Sequence, residues 1–141
     1  MPIRTATAIW EGGLKEGKGS FASPSGVKAA FGFGTRFGDE PGANPEELLA
    51  AAHAACFSMA LGAGLEKAGL KATRIDTKAY CTLEKLEIGF TVTKMRLECR
   101  ASVPGIDAKK FDEIAQATKA GCPISRALAA ISTIELDAKL V

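Results

Sequence analysis

From Ile3 to Trp10 the chain reads with a period of two, β-branched residues on one side. Ile3, Thr5, Thr7 and Ile9 fall on one side and Arg4, Ala6, Ala8 and Trp10 on the other. A period of two predicts a strand. Gly12 through Gly19 is turn-rich, so a second strand over 19–23 completes a hairpin. Pro24-Ser25-Gly26 turns the chain again, and Val27 to Phe31 predicts a third short strand. The glycine-rich stretch from Gly32 to Ala43 has no clean period and reads as a loop.

The pattern changes abruptly at Asn44-Pro45-Glu46-Glu47. Asn44 suits an N-cap, Pro45 the first helical position, and two acids sit in the positive first turn. The helix runs to about Gly69, apolar nearly all round and rich in small residues. Such a helix is expected to be buried on all sides, wrapped by sheets or set in a dimer interface. From Arg74 the period returns to two, with Ile75, Thr77, Ala79, Cys81 and Leu83 on one face. After Leu86 comes a long strand with Met95, Leu97, Cys99, Ala101 and Val103 inward. Asp107 caps a second helix carrying Phe111, Ile114, Ala115 and Thr118. Gly121 closes it, and Cys122-Pro123 opens a short third helix to about Ala130. Ile134, Leu136, Ala138 and Leu140 mark a last strand. The order β-β-β-α-β-β-α-α-β predicts an α+β fold of two antiparallel clusters separated by a helix, in a single domain, 1–141.

Composition narrows the function classes. With 47% hydrophobic and 24% charged residues the chain is ordinary globular material. Its 18 basic against 16 acidic residues argue for neither nucleic acid nor an anionic membrane. The N-terminus has no apolar signal core, and the most apolar run, Leu48 to Leu65, is interrupted by His53 and Ser58. A soluble, cytoplasmic protein is the expectation, where a disulfide is more often catalytic than structural.

Four cysteines and one histidine remain. Gaps of 25, 18 and 23 residues between Cys56, Cys81, Cys99 and Cys122 give neither a zinc ligand set nor a Cys-x-x-Cys motif. Cys81 and Cys99 lie on inward strand faces and read as small hydrophobes. Cys56 sits mid-helix, one turn after His53. Cys122 occupies an N-cap, where free N–H groups favour the thiolate. His53, three residues before Cys56 on the same helix, is badly placed as its base and reads as a hydrogen-bonded interior residue.

Asn44-Pro45-Glu46-Glu47-Leu48, Ala52-His53-Ala54-Ala55-Cys56-Phe57-Ser58-Met59-Ala60, Val103-Pro104-Gly105-Ile106-Asp107 and Ala120-Gly121-Cys122-Pro123 together resemble the osmotically inducible protein C family. These are thiol-dependent peroxidases related to the organic hydroperoxide resistance proteins. The likeness runs from Trp10 to the last strand. Gly12-Gly13 is followed by Leu14 and not arginine, so the matching arginine lies at Thr35-Arg36-Phe37, as in the osmotically inducible branch. The resemblance implies Cys56 as peroxidatic cysteine, Cys122 as resolving cysteine, and Arg36 with Glu46 as the polar pair ordering the site. It also implies two sheets around central buried helices in an intertwined homodimer. Regeneration would come from an external dithiol, lipoyl groups in the best-described branch, with no bound cofactor or metal.

The chemistry asks for a cation near Cys56, because an apolar helix raises a thiol pKa and only the thiolate attacks peroxide. Arg36 is always charged, and Glu46 could pair with it and aim it. Read without the resemblance, Arg36 is a solvated loop residue and Glu46 a helix-end charge, and Glu47 rivals Glu46. Ten residues along a straight helix separate Glu46 from Cys56 by about 15 Å and about 80°. Arg36 and Glu46 are therefore expected to serve Cys56 of the partner subunit. An apolar cleft lined by residues such as Phe57 would favour organic hydroperoxides. The competing classes are a hydrophobic-ligand or lipid-binding stress protein with inert thiols, and a structural stress protein with oxidation-prone ones.

Overall fold

The computed structural model describes all residues from Met1 to Val141. The chain divides into two compact units, Met1–Leu48 and Leu49–Val141.

The first unit is a three-stranded antiparallel meander of β1 (Thr7–Glu11), β2 (Lys18–Ala22) and β3 (Lys28–Phe31). β1 starts later than its alternation predicts. Thr7 pairs with Ala22, the last residue of β2, so residues 1–6 have no strand to pair with. The glycine-rich segment is not all loop: residues 33–37 form the short helix α1 (Phe33–Phe37). Thr35 closes its start by accepting from the Gly32 N–H at 2.9 Å, and the Phe33 and Phe37 rings meet one turn apart, 5.2 Å between centroids. One turn is too short for periodicity to register.

The middle of the meander is built around a missing side chain. Gly19 stands between Trp10 on β1 and Phe31 on β3 in the register. The two rings tilt together across it, centroids 5.7 Å apart. A Cβ on Gly19 would lie 2.6 Å from Phe31 and 2.8 Å from Trp10. The glycine thus lets two cross-strand aromatics close over the backbone, an aromatic cover for a weak strand position.

α2 (Pro45–Lys67) ends the first unit and enters the second. Asn44 caps it by accepting from the Glu47 N–H at 2.8 Å, while its own amide donates to the Thr35 carbonyl at 2.9 Å. In the second unit β4 (Arg74–Leu86) and β5 (Gly89–Ser102) form an antiparallel hairpin. The predicted parity holds: exposure alternates along β4, and Met95, Leu97, Cys99 and Ala101 are fully buried on β5. α3 (Ala108–Gly121) and α4 (Pro123–Ala127) then lead to β6 (Thr133–Leu140), which pairs parallel to β5. The second sheet is therefore mixed, not antiparallel. Two helices between β5 and β6 carry the chain back to the same end of the sheet, as a parallel partner requires. The fold is α+β, with two three-stranded sheets and helices.

The core joins Phe57, Leu61 and Leu65 of α2 to Leu97, Cys99 and Ala101 of β5, with Phe111 and Ala115 of α3. His53, Phe57, Leu61 and Leu65 form one fully buried stripe at four-residue spacing. The opposite stripe of Leu48, Ala52, Ala55, Met59 and Ala63 is exposed, Met59 by 82%. Within the chain, α2 is thus buried on one side only, not all round, because a single sheet covers a single face of a helix. By length and composition α2 also suits a membrane span, contrary to expectation. Its buried histidine and its place in the core cluster are those of a core helix.

Gly19→Val is expected to force the Trp10 and Phe31 rings apart. Trp10 is the sole tryptophan, so its fluorescence maximum should shift to the red and the melting temperature should fall. Unchanged emission and melting would show that the rings do not depend on Gly19.

Candidate active site

Two groups of polar side chains stand out, one in each unit. In the first, Arg36 on the last turn of α1 meets Glu46 on the first turn of α2. The contact is forked: Arg36 Nη2 lies 2.8 Å from Glu46 Oε1, and Nε lies 3.3 and 3.2 Å from the two carboxylate oxygens. This geometry fixes the guanidinium plane as well as its charge. Glu46 is nearly buried while Arg36 keeps about a third of its side chain exposed, 11% against 36%. The carboxylate also sits at the positive end of α2. Glu47 is exposed and gives only its N–H, to the cap. Between the two rivals, only Glu46 holds Arg36.

Arg36 opens onto a cavity of about 340 Å³ lined by Trp10, Leu14, Phe31, Gly32, Phe33 and Phe37. The guanidinium is its one charge, and it lies over the Phe37 ring at 5.2 Å. The expected lining residue Phe57 is not there. Phe57 is fully buried in the core of the second unit, because it falls on the inward stripe of α2. The aromatic wall comes instead from β1, β3 and α1.

In the second unit, Cys56 of α2 and Cys122 at the N-cap of α4 are neighbouring free thiols close enough to shift one another's ionisation, although 66 residues separate them in the chain. Cys56 is half-buried and Cys122 fully buried. Burial pushes the Cys56 thiol up. The Ile124 N–H opposes this, while the neighbouring Cys122 sulfur adds to the rise. Burial pushes Cys122 up as well, but four partners outweigh it: the Ser125 hydroxyl, the Ser125 N–H, Cys56 and the Ile124 N–H. Cys122 ends below its ordinary value. Counting only this chain's own groups, the two thiols titrate as a pair whose hydrogen bonds favour the thiolate on Cys122 and whose burial disfavours it on Cys56. Cys99 is a different case. Burial raises its thiol, and it packs in the core, as its strand parity suggests.

The helix cap at Cys122 also brings in Ser125. The Ser125 N–H donates to Cys122 Sγ at 3.3 Å, and the thiol donates to Ser125 Oγ at 3.3 Å. On its far side Ser125 Oγ meets His53 Nε2 at 2.8 Å. Burial holds the His53 pKa below its ordinary value, so the ring is neutral. Sequence reading missed Ser125. The available signal was the Cys122-x-x-Ser125 spacing, which sets the N-cap sulfur against the N–H three residues on.

A family model described as OsmC-like protein matches residues 38–137. Peroxiredoxin OsmC of Escherichia coli strain K12 is 52% identical over 134 residues, covering 94% of each chain. Among solved structures, an OsmC-like protein from Mycoplasma pneumoniae superposes with a TM-score of 0.77 at 15% identity, covering 99% of this chain and 98% of that one. The organic hydroperoxide resistance protein OhrB of Bacillus subtilis gives a TM-score of 0.66 at 24% identity, covering 97% and 98%.

In a Cys56→Ser protein, Cys122 is expected to titrate below the ordinary thiol value of 9.0. Replacing Ser125 by alanine should move that titration upward, read by ultraviolet thiolate absorbance. A lowered folded-state pKa adds stability as pH rises from that pKa toward the unfolded value and loses it as pH falls through it. The melting temperature of the Cys56→Ser protein should follow that sign, and a Cys122 titrating at or above 9.0 would contradict the hydrogen-bond account.

Proposed function

This chain belongs to the OsmC family, and we propose that it is a dithiol-dependent peroxidase acting through a Cys56 sulfenic acid and a Cys56–Cys122 disulfide. Organic hydroperoxides are the preferred substrates and hydrogen peroxide a poorer one. The observation that carries the reading is the pair of neighbouring free thiols, Cys56 and Cys122, each shifting the other's ionisation. A structural disulfide would have no use for a hydrogen-bond network tuned to one ionised sulfur, and a lipid carrier would have no use for the pair.

The chemistry runs in three steps. The Cys56 thiolate attacks the distal peroxide oxygen, taking that oxygen as sulfenic acid. The O–O bond breaks, and the alkoxide leaves and is protonated to the alcohol. Cys122 then condenses with the sulfenic acid, forming the disulfide and releasing water. An external dithiol, with lipoyl groups as the leading candidates, reduces the disulfide by exchange. No bound cofactor enters any step. A cytoplasmic, reducing setting suits a disulfide that forms and is removed in each cycle.

Burial pushes Cys56 up, so the first step needs a cation. Arg36 supplies it, aimed by Glu46, and the aromatic cavity beside Arg36 would hold the apolar tail of an organic hydroperoxide. Glu46 and Cys56 stand ten residues apart on α2, about 15 Å at helical rise. We therefore assign Arg36 and Glu46 to Cys56 of the partner subunit in a homodimer of the single 1–141 domain. The exposed apolar stripe of α2 through Met59 supports such a second copy, since a patch of this kind marks an association surface.

Two measurements test this. One equivalent of cumene hydroperoxide should give the Cys56–Cys122 disulfide by mass spectrometry. Cys122→Ser should instead stop at Cys56 sulfenic acid, and full activity in Cys56→Ser would end the reading. Arg36→Gln and Cys56→Ser proteins, each inactive alone, should regain peroxidase activity when refolded together. No recovery would place Arg36 beside the thiol of its own chain.

A further inference from the structure

His53 is completely buried, yet its Nδ1 has no hydrogen-bond partner. Its other nitrogen, Nε2, lies 2.8 Å from Ser125 Oγ. A neutral imidazole carries one N–H and one lone pair. An orphaned buried N–H is the rarer and costlier of the two, so the proton is assigned to Nε2 and the bare lone pair to Nδ1. Nε2–H then donates to Ser125 Oγ.

That assignment decides where the serine hydroxyl can point. An imidazole accepting at Nε2 would capture the Ser125 hydrogen. A donating imidazole occupies an oxygen lone pair and leaves the hydrogen free. The polar atom on the other side is Cys122 Sγ, 3.3 Å away, which already receives the Ser125 N–H at 3.3 Å. While Cys122 is a thiol it donates to Oγ. Once it ionises, the hydroxyl turns and donates to the sulfur, completing a chain from Nε2–H through O–H to thiolate. Two pairs at three-residue spacing, His53 with Cys56 on α2 and Cys122 with Ser125 at α4, thus meet histidine to serine and sulfur to sulfur.

We propose that His53 is a positioning residue for the resolving step. It holds the Ser125 hydroxyl as a donor to the Cys122 thiolate, and in doing so selects Cys122 as the sulfur that attacks. The proposal rests on the reading of Cys56 and Cys122 given above. In the step itself, the Cys122 thiolate attacks the sulfur of Cys56 sulfenic acid. The S–S bond forms, the S–O bond breaks, and hydroxide leaves and takes a proton from solvent to become water. His53 transfers no proton. Its neutral ring only fixes the direction of the serine hydroxyl.

The test separates the two halves of the reaction. Reduced protein is mixed with one equivalent of cumene hydroperoxide, quenched at intervals with dimedone, and analysed by mass spectrometry for sulfenic acid and disulfide. In Ser125→Ala and His53→Leu, disulfide formation should slow by roughly ten- to a hundredfold, the weight of one hydrogen bond to a charged group. Sulfenic acid should accumulate, and oxidation of Cys56 should not slow, because less negative charge on Cys122 eases ionisation of Cys56. His53→Gln, whose side-chain amide also donates, should restore disulfide formation to near the wild-type rate. Wild-type rates in Ser125→Ala would overturn the proposal even if His53→Leu fails to fold. Equal slowing of both steps would reduce His53 and Ser125 to structural residues, and failure of His53→Gln to rescue would make His53 a base. If the wild-type protein itself forms no sulfenic acid or disulfide, the peroxidase reading fails instead.

Discussion

The site in the second unit depends on where α2 can place a thiol. The helix commits His53, Phe57, Leu61 and Leu65 to one buried stripe at four-residue spacing. Cys56 is next to that stripe and not on it, so it falls at the rim, half-buried. A sulfur deeper in the stripe would be sealed from any peroxide. One on the exposed face, with Met59, would have no second sulfur beside it. The same stripe brings His53 inward, where it can reach a residue of α4.

Desolvation acts on both sulfurs in the same direction, and the difference between them is made by hydrogen bonds. Cys56 has one opposing N–H, from Ile124, and an unfavourable neighbour in Cys122. Cys122 collects donors from a helix start and from a side chain held by a buried ring. The outcome is an unequal pair: burial prevails at Cys56 on the helix, and hydrogen bonds prevail at Cys122 on the cap. A peroxidase cycle has a use for that asymmetry. In the proposed cycle a cation switches on the first nucleophile, and the second attacks when the sulfenic acid appears.

The first unit solves a separate problem, how to hold an arginine close to apolar surface. A guanidinium partly withdrawn from water is costly unless it is paired. Glu46 pairs it in a fork, and Phe37 takes one face. The surrounding aromatics owe their closeness to Gly19, which leaves room for Trp10 and Phe31 to meet. Charge and apolar wall thus arise from three strands and two helix ends, each carrying little stability alone.

Local order was legible in the chain because it is written in short-range patterns. Alternation located β4 and β5 and put Cys99 in the core. Asn44 and Asp107 announced their caps, and the structure has both. The cysteine motifs carried the family. What escaped was set by contacts over long separations or by single turns. One turn of α1 lies below the resolution of any period. The direction of β6 depends on a crossover, which alternation does not encode. Phe57 lies in the core and not in a cleft, and a helix apolar all round does not say which face the sheet will take. The His53–Ser125 contact spans 72 residues, and the Cys56–Cys122 meeting spans 66. The sequence by itself determined which residues could be nucleophiles, caps and core. Only the tertiary structure decided which sulfur the hydrogen bonds favour as thiolate, because a thiol pKa is set by donors and burial that the chain assembles from distant segments.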